Sequence, residues 1–279
     1  MAINFAERYS RDVLESLFAR SVTNMTFNAR YDYEFTGVDK VNIYSVDTPP
    51  LTFYDTSLPV GERFGTPADL GDTVQTLQMT KFPATTFAID KTNNTRQLMI
   101  KNATVSIGEW FLKQLVPYKD KYSLGVIAGK APVANQLTYT DGTDSIYDKV
   151  LDAQQKLDDG FVRREGRFMW ATPAAINLMK KDENFIGGNS LAQDQVKFKG
   201  QVGEIDGLPI IMATESVMPE NTLLIVVHPE AIVSPIRMEE ARVHVDPVGL
   251  AGHLGEALVF FDTFVLEGRE ACIATLKKA

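Results

Sequence analysis

Apolar residues change their spacing several times along the chain, and each change marks an element. Within "FAERYSRDVLESLFARS", Phe5, Tyr9, Val13, Leu14, Leu17 and Phe18 recur at three- and four-residue steps, which predicts an amphipathic helix. The following stretch offers no obvious partner for its apolar side, which packs either on the chain's own core or on a neighbour. Alternation then takes over: "VDKVNIYSV" (38–46) sets Val41, Ile43 and Ser45 on one side and Lys40, Asn42 and Tyr44 on the other, a strand pattern. It stops at "DTPP" and resumes from Thr73, with Val74, Leu77 and Met79, then Phe82, Phe87 and Ile89, interrupted near Pro83. Two strand arms therefore enclose a long tip rich in proline, glycine and aromatic residues.

From Arg96 to Val116 the spacing is helical, carried by Leu98, Ile100, Val105, Ile107, Trp110, Phe111 and Leu115, with Pro117 as the expected stop. A shorter helix is expected through "KYSLGVIAGKA". Another follows in "DGTDSIYDKVLDAQQKLDD", capped by Thr143 or Asp144, with Ile146, Val150, Leu151 and Leu157 inward. "RFMWATP" reads as a short buried strand, and "TPAAINLMKK" as a helix opened by Thr172 as cap with Pro173 in its first position. "FIGGNSLAQDQ" reads as loop, and "VKFKGQVGEIDGLPIIMAT" as a hairpin turned between Glu204 and Gly207. "TLLIVVH", "EARVHVD", "ALVFFDTFVLE" and "EACIATLKK" supply further strands, the last two expected as an antiparallel pair turned at Gly268. Interleaved helices and antiparallel strands, without an internal repeat or a low-complexity linker, place the chain in the α+β class.

Composition narrows the function. With 279 residues and 44% hydrophobic content the chain has ample material for a core. A net charge of -8 argues against coating nucleic acid by phosphate neutralisation, which needs surplus Lys and Arg. The single cysteine, Cys272, excludes an intrachain disulfide and fits a reducing compartment, and it reads as a small core residue. No export signal or membrane-spanning segment is read, so a soluble protein made in the cytoplasm is expected.

Candidate chemistry is sparse. His228, His244 and His253 lie in "VVHPEA", "RVHVD" and "AGHLGE", none of them a helical metal-ligand pair; they read as closing a strand, alternating along one and sitting in a glycine-rich turn. "GVIAGKA" lacks the glycine spacing and the hydroxyl residue of a phosphate loop, and "GLAGHLG" lacks the strand-to-helix setting of a dinucleotide fingerprint and reads as a turn. The adjacent acids Asp158 with Asp159 and Glu239 with Glu240 point apart on any regular element and read as solvated faces. No catalytic, cofactor-binding or metal site is expected.

The order of these features resembles the major capsid proteins of tailed bacteriophages, of the Hong Kong 97-like fold. The resemblance runs through "RFGTPADLGDTVQTLQMTKFPATTFAID", the long helix before "VPYKDKY", "RFMWATPAAINLM", "VKFKGQVGEIDGLPIIMAT" and the closing "RVHVDPVG" and "ALVFFDTFVLEGREACIATL". It implies an N-terminal arm (1–39), an extended β-hairpin loop (40–80), a peripheral domain with a long spine helix (81–121 and 229–279) and an axial domain (122–228). The implied function is a shell of pentamers and hexamers around double-stranded DNA, held without sequence reading, in a virion assembled in the bacterial cytoplasm. Implied partners are copies of the chain itself and a portal protein; with no long charged helical segment before the arm, either a separate scaffolding protein is implied or none is used. An encapsulin-like nanocompartment is the alternative of the same fold, and a soluble α+β enzyme the alternative of another class.

Physical chemistry points the loop the same way. Arms of about 12 residues reach roughly 40 Å, and an isolated two-stranded ribbon is marginal in water. A neighbour is therefore expected to cover Leu51, Phe53, Tyr54, Leu58 and Phe64, with Asp55 and Arg63 in polar contacts at the rim, and Phe5, Tyr9, Leu14 and Leu17 of the arm are candidates for the same role. Gly61, Gly65, Gly187 and Gly188 are expected points of adjustment between subunit environments. Some members of the resembled family join subunits covalently through a loop lysine, but no lysine lies between Lys40 and Lys81. Assembled particles are accordingly expected to run as a single 31.0 kDa band on a denaturing gel, and a covalent ladder would contradict this.

Overall fold

The computed structural model describes residues 21–23, 40–46, 49, 51–57, 59–65, 69, 71–96, 103–181 and 201–279. The expected N-terminal helix, the loop at 185–195 and the first part of the expected spine helix fall outside them, as do Gly187 and Gly188. The chain divides into two compact units, Arg30–Met79 and the remainder, Met1–Ala29 with Thr80–Ala279.

In the smaller unit, β1 (Lys40–Val46) and β2 (Asp72–Gln78) pair antiparallel in unbroken register from Lys40 opposite Gln78 to Val46 opposite Asp72, as the alternation predicts.

The larger unit is built around two sheets and one long helix. The six-stranded sheet runs in the order β4 (Gln136–Tyr139), β13 (Ile273–Lys278), β8 (Thr222–Val227), β5 (Phe168–Ala171), β7 (Leu208–Met212), β6 (Gln201–Ile205). Its central strands β5 and β8 are buried on both faces, which is why "FMWA" and, after Thr222, "LLIVV" are unbroken apolar runs. Met169, Ala171, Leu224 and Val226 pack with α4 (Ile146–Asp159) and α5 (Pro173–Lys181). Their alternates Phe168, Trp170, Ile225 and Val227 pack with Leu124, Ile127 and Ala128 of α3 (Val116–Gly129). The three-stranded sheet, β10 (Ile236–Val245), β11 (Gly252–Phe261) and β3 (Ala84–Asp90), is antiparallel throughout. Ala241, Ala257, Val259 and Phe261 of this sheet form a third core with Ile107 of α2 (Ala103–Trp110), with Phe111 and Leu115, and with Val116. α1 (Lys91–Arg96) directly follows β3.

Several expectations are corrected. Pro117 does not stop the helix: α2 continues through a π-helical turn, Phe111–Leu115, directly into α3. There the Val116 N–H donates to the Phe111 carbonyl five residues back, and this widened turn accommodates a residue that has no N–H and whose ring crowds the preceding turn. The cap of α4 is Ser145, whose hydroxyl accepts from the Asp148 N–H at 3.2 Å, while Asp144 instead accepts from the Thr140 N–H at 2.8 Å. β11 and β13 are not a pair. Gly268 does turn the chain at φ 77°, but Asp262 and Thr263 interrupt the strand ahead of it; the short β12 (Phe264–Val265) joins β9 (Ile232–Val233), and β13 enters the larger sheet between β4 and β8. His253 lies within β11, opposite Ile89, rather than in a turn. Asp158 is no idle surface acid: it accepts from Arg164 and, at 2.8 Å, from the fully buried Arg167. These bonds, Arg164's first, hold its carboxyl below the usual carboxylate range. Cys272 is only half-buried, against the core under α3.

Other expectations stand. Asp206 and Gly207, both at positive φ (47° and 77°), turn the β6–β7 hairpin, and the Thr172 hydroxyl accepts the Ala175 N–H at 3.2 Å at the start of α5. "GVIAGKA" lies across the end of α3.

Two packing features make predictions. Two of the glycines of "GLAGHLG" owe their place in β11 to close approach: a methyl group at Gly255 would run into the Phe87 ring on β3, and one at Gly252 into the Ile89 carbonyl, while Gly249 lies before the strand at φ 86°. Gly255→Ala is expected to cost about 1–3 kcal/mol in thermal or denaturant unfolding, the usual penalty of overpacking, and an unchanged midpoint would refute the close packing. Lys119 of α3 is fully buried, and burial pulls its ammonium pKa down to about 8, against an opposing pull from Asp120. A lysine whose pKa is depressed on folding makes the folded state bind fewer protons than the unfolded one between the two values, so its contribution to stability rises with pH from about 8 towards 10.5. The stability of wild type relative to Lys119→Met is therefore expected to increase between pH 7.5 and pH 10, measured by denaturant unfolding; a flat or falling difference would refute it.

Candidate functional site

The tip between β1 and β2 is folded by short-range polar contacts. The Asp55 carboxylate accepts from the Ser57 N–H at 2.8 Å and the Ser57 hydroxyl at 2.6 Å, and these bonds hold its pKa below the usual carboxylate range. The Asp55 N–H donates to the Arg63 carbonyl at 3.0 Å, closing the tip on itself. The Thr52 hydroxyl donates to the Phe64 carbonyl at 2.9 Å, and the Glu62 and Gly65 N–H groups donate to Pro59 and Glu62. Gly61 at φ 114° and Gly65 at φ 91° occupy a backbone region that residues with a side chain rarely adopt, which explains why the turn needs glycine there.

This small scaffold presents apolar groups to solvent. Leu51 is 86% exposed, Phe53 85% and Phe64 81%, and Tyr54, half exposed, meets Phe64 edge to face at 4.8 Å between ring centres. A cluster of large exposed apolar side chains on one ordered turn is what a protein surface shows where it is meant to be covered. Asp55 follows Tyr54 and Arg63 precedes Phe64 on this turn, the two tied to each other through the backbone. Leu58, and Phe5, Tyr9, Leu14 and Leu17 of the arm, lie outside the described residues. Val60, 87% exposed on the same tip, was not singled out from sequence, although its neighbours Pro59 and Gly61 mark it as a turn residue.

Two polar clusters in the larger unit also escaped sequence reading. Asp262 is buried at the end of β11 and accepts from four donors: the Thr80 N–H (2.8 Å), the Thr80 hydroxyl (2.9 Å), the Tyr122 hydroxyl (2.8 Å) and the Thr263 N–H (2.8 Å). Burial, together with this bond to Asp262, pushes the Tyr122 phenol up to about 12, and the Lys81 ammonium sits 4.9 Å over its ring. Asp120, buried on α3, receives the Ser21 hydroxyl, the Val22 N–H (3.0 Å) and the Thr23 hydroxyl (2.6 Å), while the Trp170 indole N–H donates to the Val22 carbonyl at 3.2 Å. Along the outer side of α3, Tyr118, Lys121, Tyr122, Gly125 and Val126 line an open groove of about 420 Å³.

Two of the histidines serve the frame. The His228 Nδ1 accepts the Glu230 N–H at 3.3 Å, which leaves Nε2 as the donor to the Glu165 carbonyl at 3.0 Å. His244 meets Glu256 at 3.2 Å across the β10–β11 ladder. Among the described residues, no group of three or more His, Cys, Asp or Glu is placed to hold a metal ion, and no helix is long and apolar enough to cross a membrane.

No protein-family model matches the sequence, and no curated protein does. Solved structures do. The chain is similar to a capsid structure of the cyanophage P-SCSP1u, at 10% identity and a TM-score of 0.63, over 87% of this chain and 84% of that one. It is similar to the mature capsid of bacteriophage PhiM1, at 11% identity and a TM-score of 0.60, over 90% and 89%. A virus-like particle from Pyrococcus furiosus matches over 99% of this chain and 100% of its own, at 9% identity and a TM-score of 0.54. The mixed α+β fold of this chain is thus the fold found in these phage capsid structures.

Proposed function

We propose that the chain is the major capsid protein of a tailed double-stranded DNA bacteriophage, a structural subunit that assembles through its own surfaces rather than an enzyme. The observation that carries this reading is the ordered loop tip with Leu51, Phe53 and Phe64 turned to solvent, on a chain with the fold of phage capsid structures. Repeated contacts between such a tip and a different surface of the next copy are heterologous; they close into rings, and rings close into a shell. The subunits form pentamers and hexamers of an icosahedral head that encloses the genome without reading it, which an acidic chain can do because a rigid container confines DNA without neutralising its phosphates. In this reading residues 1–39 are the arm, 40–80 the extended loop, 81–121 and 229–279 the peripheral domain and 122–228 the axial domain. A separate scaffolding protein and a portal protein complete the assembly, which takes place in the host cytoplasm and ends in the virion. The likeness to the Pyrococcus furiosus particle supports, at a lower TM-score, the second reading of a nanocompartment shell loaded with protein.

The test is to express the chain alone and with its neighbouring genes, and to follow particle mass by light scattering beside negative-stain electron microscopy. Capsomers, tubes or shells are expected, and the contents of closed shells separate a DNA container from a protein container. Phe53→Ser combined with Phe64→Ser is expected to suppress assembly while leaving the unfolding midpoint of the free subunit unchanged. A stable species of one to four copies under every condition would overturn the reading.

A further inference from the structure

α4 ends in a turn that carries an aromatic residue in the place suited to glycine. The Phe161 N–H donates to the Asp158 carbonyl at 2.9 Å and the Val162 N–H to the Leu157 carbonyl at 3.1 Å, the pair of bonds that closes a helix through one left-handed residue. That residue is Phe161, at φ 55°. Among the described residues the other side-chain-bearing positions at positive φ are Asp206, Asn221 and Asp246, types that tolerate this region, whereas a bulky aromatic there is an outlier. Its ring returns nothing to the fold of the subunit, because Phe161 is 97% exposed. The loop beneath it is held firmly. Arg167 is buried, and its guanidinium donates to the Asp158 carboxylate at 2.8 Å and to the carbonyls of Arg163 (2.8 Å), Gln154 (3.4 Å) and Val162. Arg163 turns to Glu230, and Arg164 to Asp158 and Asp206. Asp159 and Glu165, on either side of Phe161 in the chain, are exposed and make no ion pair among the described residues, which leaves a negative rim even with the exposed Lys156 one turn earlier on α4.

A surface of complementary shape and opposite charge lies across the six-stranded sheet. α4 packs on one face of that sheet and α3 on the other, and the groove of Tyr118, Lys121, Tyr122, Gly125 and Val126 runs along the outer side of α3. Its volume of about 420 Å³ is ample for a phenyl ring. Lys121 is exposed and makes no ion pair among the described residues, Lys81 stands over the Tyr122 ring, and the one acid of α3, Asp120, is buried. The floor is open at Gly125, where no atom comes within 4 Å of the place a Cβ would take. A glycine in mid-helix is less stable than an alanine, and no contact within the described residues calls for this one. Two locally unfavourable choices, an aromatic at a glycine position and a glycine at a helix position, therefore stand on opposite sides of one sheet.

We infer that Phe161 of one copy seats in the α3 groove of a second copy, against Tyr118 and Tyr122 and over Gly125, with Asp159 and Glu165 turned towards Lys121 and Lys81. That the partner is another copy of this chain rests on the proposed function. Plug and socket are different surfaces of the same chain, so the contact is heterologous and passes from copy to copy. It is separate from the loop tip. An aromatic side chain entering a pocket is where interface energy concentrates, and a loop already closed by Arg167 loses little freedom on docking. The opposite charges of the two rims favour this pairing over a plug meeting a plug.

The test turns on the sign of two substitutions. Phe161→Gly relieves the left-handed turn, and Gly125→Leu fills the groove while giving the helix a better former. Each is expected to leave the unfolding midpoint of the free full-length subunit unchanged or raised, yet to raise about tenfold or more the concentration at which copies associate, read by light scattering. A lowered midpoint in both variants would mean that these residues serve the fold, and unchanged association would overturn the contact. The location is read by replacing Phe161 with the photoreactive analogue benzoylphenylalanine and irradiating an associated mixture of isotope-labelled and unlabelled chains. Cross-links joining chains of different label, from position 161 to the segment 118–126, are expected. Cross-links confined to one chain, or directed to the loop tip or any other surface, overturn the inference. Wild-type copies that assemble while position 161 cross-links elsewhere defeat this contact alone; wild-type copies that never associate defeat the proposed function and the contact together.

Discussion

One helix has to serve two sheets. Residues Ala103 to Leu115 supply the core of the three-stranded sheet, and Leu124, Ile127 and Ala128 supply one face of the six-stranded sheet. An unbroken α-helix repeats its face every 3.6 residues, so a helix that must present buried faces to two sheets needs its phase adjusted between them. The π turn at Phe111–Leu115 inserts that adjustment, and Pro117 sits immediately after it. Lys119, Asp120 and Ser123 then fall on the buried side at the changeover. The polar network around Asp262 and Asp120 therefore stands where the helix passes from one core to the other, and it supplies hydrogen bonds where neither apolar core is continuous.

What the sequence disclosed follows from how strongly each element depends on local chemistry. β5 and β8 were legible because burial on both faces leaves no room for polar residues, and Asp206–Gly207 was legible because its backbone conformation selects these residue types. Pro117 misled because its usual effect, ending a helix, was absorbed by a change in hydrogen-bond register that leaves no mark in composition. The cap of α4 misled because Thr143, Asp144 and Ser145 all qualify, and the choice was settled by Asp144 turning to the Thr140 N–H. The partner of β13 was out of reach, because strand pairing across sheets is decided by the packing of the whole chain; a turn glycine at 268 says where the chain reverses and nothing about which strand it joins.

The apolar tip was legible for the opposite reason: Leu51, Phe53, Tyr54 and Phe64 stand in a stretch whose prolines and glycines leave no regular element to bury them. The buried polar clusters were not. "YKDKY" reads as a solvated helix surface, and only the fold shows that Lys119 and Asp120 point inward while Lys121 lines an open groove. A signal did exist for Asp262, the single acid in the apolar run "ALVFFDTFVL". A charge at the end of a buried strand is costly unless several donors meet it, so such a residue marks a convergence of elements even when the elements themselves are unknown.

Charge and apolar surface then divide the work of association in the proposed shell. Each copy carries a net charge of -8, so copies repel one another at a distance, and salt confines that repulsion to about 8 Å at physiological ionic strength. Apolar contact acts only when surfaces touch, and it is not subject to electrostatic screening. A subunit held apart by charge and joined by a small preformed apolar tip stays dispersed until tip and receiving surface meet in the right orientation. The internal bonds of the tip, from Asp55 to Ser57 and from Thr52 to Phe64, lower the ordering cost of that meeting, because the turn that presents Phe53 and Phe64 is already closed. Weak individual contacts, repeated many times around a closed shell, permit wrong encounters to separate and correct ones to accumulate, and for that purpose a compact apolar tip serves better than a large adhesive face.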